Sequence, residues 1–138
     1  MESSKTLAHI NQFAKNTLME TLEIVYTEVG EGMLKATMPV TSKVHQPMGF
    51  LHGGATVALA ESVGSAASFL FVDPTKYNIK GIEISANHIK SKKEGIITAT
   101  AKIIHKGKTT HLWEVRVTDE QDELISLCKI TNIVLPKL

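Results

Sequence analysis

The chain has 138 residues, 43% apolar and 21% charged, with a net charge of +1. That length suits one domain over 1–138 with a sizeable core, since a chain of about this size buries roughly 68% of the surface its unfolded form exposes. The near-neutral charge, single arginine and few aromatic residues argue against a nucleic-acid partner, and the lone Cys128 excludes an internal disulfide and suits the reducing cytoplasm.

The opening stretch MESSKTLAHINQF lacks the apolar run of a signal peptide. Ser3 and Ser4 are candidate caps for a short helix with Leu7, Ile10, Phe13 and Ala14 on one face. Residues 20–29 and 33–40 read as two strands around Gly30-Glu31-Gly32. In the second, Leu34, Ala36 and Met38 alternate with Lys35 and Thr37, a half-buried pattern. Residues 41–52 show no period and are broken by Pro47 and Gly49, so they form a loop. A long apolar helix follows at 54–71, stopped by Asp73-Pro74. Its polar insertions, Thr56, Glu61 and several serines and glycines, predict burial inside protein and not a membrane span. Residues 79–90, 95–106, 109–118 and 123–135 read as four strands. Turns at Gly95, at Lys106-Gly107-Lys108 and at Asp119–Asp122 predict an antiparallel meander. The expected class is α+β, one long helix packed on an antiparallel sheet.

Glu61 is the only charge in about twenty residues of that helix. Burying an unpaired carboxylate is costly. A glutamate turned to solvent or paired with a lysine is the plain alternative. The functional reading is a base or nucleophile in an apolar pocket, its proton affinity tuned by burial. Gly53-Gly54 opens the helix, where unmatched N–H groups and the helix dipole can stabilise an oxyanion. Eight residues separate Gly53 from Glu61, about 12 Å along a helix, too far for one carbonyl carbon to meet both. If both serve one reaction, they come from two copies of the chain, so the pair predicts at least a dimer. Ser65 shares the face of Glu61 and is placed to orient the carboxylate or a water. Gln46 offers a second donor to the carbonyl, and His52 is expected to position the turn. The six histidines show no metal-ligand spacing and no serine-hydrolase elbow occurs. No metal and no separate cofactor are expected.

The lysines are unevenly spread: net −3 over 1–75, +6 over 76–108 and −2 over 109–138, summing to +1. The central block is either a solvated strand face or a site for an anionic ligand.

The run Gln46-Pro47-Met48-Gly49-Phe50-Leu51-His52-Gly53-Gly54-Ala55 with Ala60-Glu61-Ser62 resembles the hotdog-fold thioesterases of the PaaI type. Within these the chain is similar to the bacterial 1,4-dihydroxy-2-naphthoyl-CoA hydrolases of menaquinone synthesis and to the proofreading thioesterases of enterobactin synthesis. The resemblance implies a hydrolase of an acyl-CoA, coenzyme A being part of the substrate. It makes Glu61 the essential carboxylate, Gln46 and Gly53 the donors to the thioester carbonyl, and His52 and Ser65 motif residues. Gly81 and His88, Ile89, Lys90 and Ser91 fall at positions that contact substrate or the pantetheine arm. His105, Lys106, Gly107, Lys108, Thr109 and Thr110 fall in a loop that meets the nucleotide end, which agrees with the charge count. Lys90 stands where relatives often carry arginine, which grips phosphate bidentately as lysine does not. A homotetramer built as a dimer of dimers is implied. The alternatives are an aliphatic acyl-CoA or aryl-carrier-protein thioesterase and, from another class, an acyl-CoA-binding module without catalysis, which would not need Glu61.

Overall fold

A computed structural model describes residues 2–138. Two helices, α1 (Glu2–Gln12) and α2 (Leu18–Thr21), lead into β1 (Val25–Gly30) and β2 (Met33–Val40). A short 3-10 turn and a compact loop precede the long helix α3 (Gly53–Ser68). Four strands follow: β3 (Tyr77–His88), β4 (Gly95–Lys106), β5 (Thr110–Thr118) and β6 (Leu124–Pro136). All six strands form one antiparallel sheet in the order β1-β2-β4-β5-β6-β3. This is the α+β hotdog architecture, a sheet folded about one helix.

Alternation dictates which face meets the helix. Leu34, Ala36, Met38 and Val40 of β2 are buried, as are Ile97, Ala99 and Ala101 of β4 and Trp113, Val115 and Val117 of β5. Opposite them α3 buries Thr56, Leu59, Ala60, Val63, Gly64, Ala67 and Ser68. Enclosing a side chain such as Leu34 or Leu59 stabilises the fold by roughly 1.5–3 kcal/mol. Gly64 sets the approach of helix to sheet: a Cβ there would lie 2.4 Å from Ile130 Cδ1. α1 is tied on by Asn11, whose Nδ2 donates to Tyr26 O at 3.0 Å while Tyr26 N donates to Asn11 Oδ1 at 2.9 Å.

Several expectations need correcting. The four later strands are not a simple meander. β3 leaves the place beside β4 and pairs along its length with β6, because the helix that precedes it delivers it to the far edge of the sheet. Among the described residues its outer edge pairs with no other strand, and Ile82 on it is 57% exposed. The stretch read as a strand from residue 20 begins instead with α2, capped by Thr17, whose Oγ1 accepts from Met19 N. Ser3 and Ser4 lie inside α1 and are not its caps. α3 stops at Ser68, five residues before Asp73, where Phe69 N turns back to Ala66 O. Among the described residues no helix is long and apolar enough to cross a membrane.

Candidate active site

The loop before α3 is held by its own backbone. Gln46 N donates to Phe50 O at 2.8 Å, Gly49 N to Gln46 O at 2.9 Å, and Gly49 takes a φ of +86° that suits glycine. His52 is the N-cap of α3, its Nδ1 accepting from Gly54 N at 2.8 Å. Gly53 therefore opens the helix with an N–H that has no intrahelical acceptor. His88, the last residue of β3, lies against it: a Cβ on Gly53 would sit 2.7 Å from His88 Nε2. His88 Nδ1 and Ser126 Oγ are 2.6 Å apart. Gln46, Gly53, Thr56, His88, Ile89, Lys90, Ser91 and Ser126 share one cleft of about 220 Å³. Gln46 Oε1 accepts from Met48 N, which leaves the Nε2 donors of that side chain for the cleft.

Glu61 lies two turns further along α3, and here an expectation fails. Its carboxylate is not buried by its own chain; the residue is exposed. The face of α3 turned from the sheet, with Ala58, Glu61, Ser62 and Ser65, and Phe69 just past its end border an apolar cavity of about 910 Å³. Opposite stand Ile10, Phe13, Leu18 and Met19 of the N-terminal segment. Tyr26, whose OH donates to Ser62 O at 3.2 Å, adds to the wall, and burial pushes its phenol well above the ordinary range. Sequence reading missed this wall, whose only trace is the run of apolar positions from Ile10 to Tyr26.

Gly81 of β3 faces Glu61. The position of a Cβ there is 3.4 Å from Glu61 Oε2, 3.5 Å from Ser65 Oγ and 3.6 Å from Asn132 Oδ1. Asn132 is fully buried and was not foreseen; a lone asparagine within the apolar run of β6 is the signal that marks it. Its Nδ2 donates to Gly64 O at 3.0 Å and Ser68 Oγ at 2.7 Å. Trp113 Nε1 also donates to Ser68 Oγ, at 2.8 Å, and His111 Nδ1 lies 2.9 Å from it. With two donors already aimed at its oxygen, the Ser68 hydroxyl gives its own proton to His111. Burial, with Lys106 and His105 nearby, holds His111 below its usual value, in keeping with that acceptor role.

The basic residues divide between the two ends of α3. Lys90 pairs with Glu123 and, at 3.0 Å, with Asp119, while Lys92 pairs with Glu120. The β5–β6 turn thus supplies counter-charges to lysines at the cleft beside Gly53. Glu123 first and then Asp119 raise the Lys90 ammonium above its usual value. His105, Lys106, Gly107, Lys108, Thr109 and Thr110 form the β4–β5 hairpin, closed by Gly107 N donating to Thr110 O at 2.8 Å. Lys106 sits 4.5 Å over the ring of Phe71, beyond the C-terminal end of α3. Residues 53 and 68 are about 22 Å apart along the helix axis, so one chain does not bring this hairpin to its own Gly53. Among the described residues no group of three His, Cys, Asp or Glu side chains is placed to hold a metal ion.

Comparisons with known proteins bear on the family and the fold. The family model described as "Thioesterase superfamily" matches residues 48–126, which hold α3 with Glu61, strands β3, β4 and β5 and the start of β6. A 1,4-dihydroxy-2-naphthoyl-CoA hydrolase from Listeria monocytogenes is 42% identical, covering 87% of this chain and 97% of its own. The crystal structure of a thioesterase from Pseudomonas aeruginosa, solved as a glutamine-to-alanine variant, superposes with a TM-score of 0.93 at 40% identity, over 95% of this chain and 94% of the other. A protein of Staphylococcus aureus, solved as a glutamate-to-alanine and as a glutamine-to-alanine variant, is 43% identical with a TM-score of 0.84 in each. The first of these two covers 87% of this chain and 99% of the other. A carboxylate over an apolar cavity, a helix N-terminus with the Gly53 N–H free and these likenesses converge: the chain belongs to the thioesterase superfamily and is a hotdog-fold thioester hydrolase.

Proposed function

We propose that the protein hydrolyses acyl-CoA thioesters in the cytoplasm, in sites shared between two copies of the chain, with an aryl-CoA of the 1,4-dihydroxy-2-naphthoyl kind as preferred substrate. The observation that carries this reading is the division of the machinery along α3. Donors stand at Gly53 and Gln46, and the carboxylate with its apolar cavity stands about 12 Å away. The unpaired edge of β3 supplies the means of joining them. Glu61 lies beside Gly81 and Gly53 beside His88, so antiparallel pairing of two β3 strands about a two-fold at Ile84 or Ser85 sets the Gly81 end of one chain along the His88 end of the other. Glu61 then faces the partner's Gly53. A dimer is the minimum this requires, and a dimer of dimers is the assembly we expect.

The chemistry follows from the groups brought together. The thioester carbonyl accepts from the partner's Gly53 N–H and the partner's Gln46, at a helix end whose dipole favours negative charge. The acyl group lies in the cavity between α3 and the segment from Ile10 to Tyr26. Glu61 attacks the carbonyl carbon, or takes a proton from a water that does so. The tetrahedral oxyanion collapses, the C–S bond breaks and coenzyme A leaves. Its thiolate takes a proton from the protonated Glu61 on the water route or from solvent on the nucleophilic one. On the latter the acyl group remains on Glu61 as a mixed anhydride until a water cleaves it to the free acid. A single turnover in heavy-oxygen water tests the routes: label in Glu61, from water attack on its carbonyl in the anhydride, establishes the nucleophilic route, whereas direct water attack labels the product acid alone. The glutamine and glutamate replaced in the S. aureus structures stand 15 residues apart in their own chain, as Gln46 and Glu61 do here. The name of the Listeria relative supports the aryl substrate.

The test is thiol release from a panel of aryl-CoA and aliphatic acyl-CoA thioesters, by the wild type and by Glu61→Gln. Faster turnover of aryl substrates, with loss of about 10³-fold in the variant, is the expected result. Faster turnover of aliphatic substrates moves the preference but keeps the reaction. Full activity of Glu61→Gln overturns the mechanism.

A further inference from the structure

We infer that Asn132 is a positioning residue for hydrolysis, acting by fixing the direction of the Ser65 hydroxyl beside Glu61; the inference rests on the catalytic role of Glu61 proposed above.

Asn132 Oδ1 is the buried side-chain atom that has no hydrogen-bond partner among the described residues. The amide cannot turn over to relieve this. Both Nδ2 protons are engaged, by Gly64 O at 3.0 Å and Ser68 Oγ at 2.7 Å, and the latter is held by Trp113 and His111. A flipped amide would set its oxygen against the carbonyl oxygen of Gly64. The acceptor is therefore locked toward Gly81, where Glu61 Oε2 and Ser65 Oγ also converge. All three oxygens lie within 3.6 Å of one point, so Ser65 Oγ is at most 7.1 Å from Asn132 Oδ1, the sum of 3.5 and 3.6 Å. Glycine at 81 keeps that point free of side-chain atoms.

An unsatisfied buried carbonyl draws a donor, and Ser65 carries the one hydroxyl in this group. No hydrogen bond joins the two in the structure; a rotation of the Ser65 side chain, or one water between them, lets the hydroxyl direct its proton to the Asn132 side and present only lone pairs to the Glu61 side. A water between Ser65 and Glu61 then donates to both, with its own lone pair left for the thioester carbon. Without Asn132 the Ser65 hydroxyl donates to the Glu61 carboxylate instead. That bond favours the charged carboxylate and makes it a weaker base. The other titratable groups lining this cavity are His9 of α1, Tyr26 of β1, Tyr77 of β3 and Lys137 after β6; none of them contributes to the three-oxygen group at Gly81.

The experiment is a double-mutant cycle of Asn132→Thr and Ser65→Ala, read as kcat, KM and the pH dependence of kcat. Threonine keeps a hydroxyl for Gly64 O but has no carbonyl oxygen. Asn132→Thr should lower kcat on the order of tenfold, leave KM within about twofold, and move the acidic limb of the profile to lower pH. In the Ser65→Ala background it should change kcat by less than about twofold. If Asn132→Thr does not fold, Asn132→Ser, which also keeps a hydroxyl and lacks the carbonyl oxygen, takes its place in the cycle and must likewise lose its effect without Ser65. Wild-type kcat and profile in the folded variant, or an equal loss with and without Ser65, overturns the inference. Glu61→Gln run alongside separates the two levels: if it keeps full rate, the proposed mechanism itself has failed.

Discussion

Gly53 and His88 are in contact, the backbone at the start of α3 against the imidazole at the end of β3, with room for no side chain between them. The closeness ties the helix N-terminus to the strand that forms the sheet edge. Gly53→Ala would push a methyl to 2.7 Å from His88 Nε2, forcing the ring from Ser126 or the helix end from its place. Alanine is otherwise favourable at a first helical position. The expected outcome is a fall in kcat/KM of about 10²-fold with Tm changed by no more than a few degrees, checked by kinetics and thermal melting on the same preparation.

The contact of Gly64 with Ile130 governs stability instead. A Cβ at Gly64 meets Ile130 Cδ1 at 2.4 Å inside a core where neither residue is exposed. Gly64→Ala should cost about 1–3 kcal/mol by overpacking. Ile130→Val, which removes the offending methyl, should recover part of that loss when the two are combined. Denaturant midpoints for the two single variants and the double variant decide it.

Ser68 joins three buried polar side chains: Trp113, His111 and Asn132. Ser68→Ala leaves the Trp113 indole N–H without an acceptor and Asn132 Nδ2 with one bond fewer. A loss of about 1–3 kcal/mol is expected, along with weakened anchoring of the C-terminal half of α3. Hydrogen exchange at the amides of 64–68 would show faster opening than in the wild type.

Two windows of pH dependence follow from the shifted groups. His111 is held below its usual value of 6.5, so the unfolded chain binds this proton more readily than the folded one. Stability is complete above that value and declines as pH falls below it. In the β5–β6 turn Glu120 is lowered to about 2, first by Lys92 and then by the N–H of Ile96. Its contribution is present above the unfolded value of 4.5 and is lost as pH drops toward about 2. Denaturation midpoints from neutral to acidic pH should show both declines. His111→Gln should flatten the first and Glu120→Gln the second.

What the sequence disclosed depended on period and punctuation. The alternation of Leu34, Ala36 and Met38 and the uncharged run around Glu61 mark β2 and α3 without help from tertiary structure. The place of β3 was not legible, because pairing β6 and not β4 depends on where a sixteen-residue helix sets the chain down. α2 was hidden because 20–29 is rich in strand-forming residues up to the glycines at 30 and 32, while the cap at Thr17 and the positive φ of Glu23 reverse the chain before Val25. For the site, Gln46, His52, Gly53 and Glu61 stand out by residue type, whereas Asn132 and Tyr26 matter through neighbours 64 to 68 or 36 residues away in sequence. The exposure of Glu61 was misjudged because a helix apolar on every side reads as enclosed, and the covering of its outer face is not written in one chain.

That outer face leads to the sharpest test of the shared site. Glu61→Gln and Gln46→Ala each disable one half of the machinery, so both should be nearly inactive alone. In a mixed dimer, one site joins the two damaged halves, while the other joins an intact Glu61 to an intact Gln46 of the partner. If subunits exchange at random, half the dimers are mixed and each carries one working site, so about a quarter of wild-type activity should return. With sites confined to single chains, every chain carries one lesion and mixing restores nothing. Exchange can be confirmed by mass under native conditions, and Ala86→Pro, which by the β3–β6 register removes a donor from the outer edge of β3, should abolish both exchange and recovery.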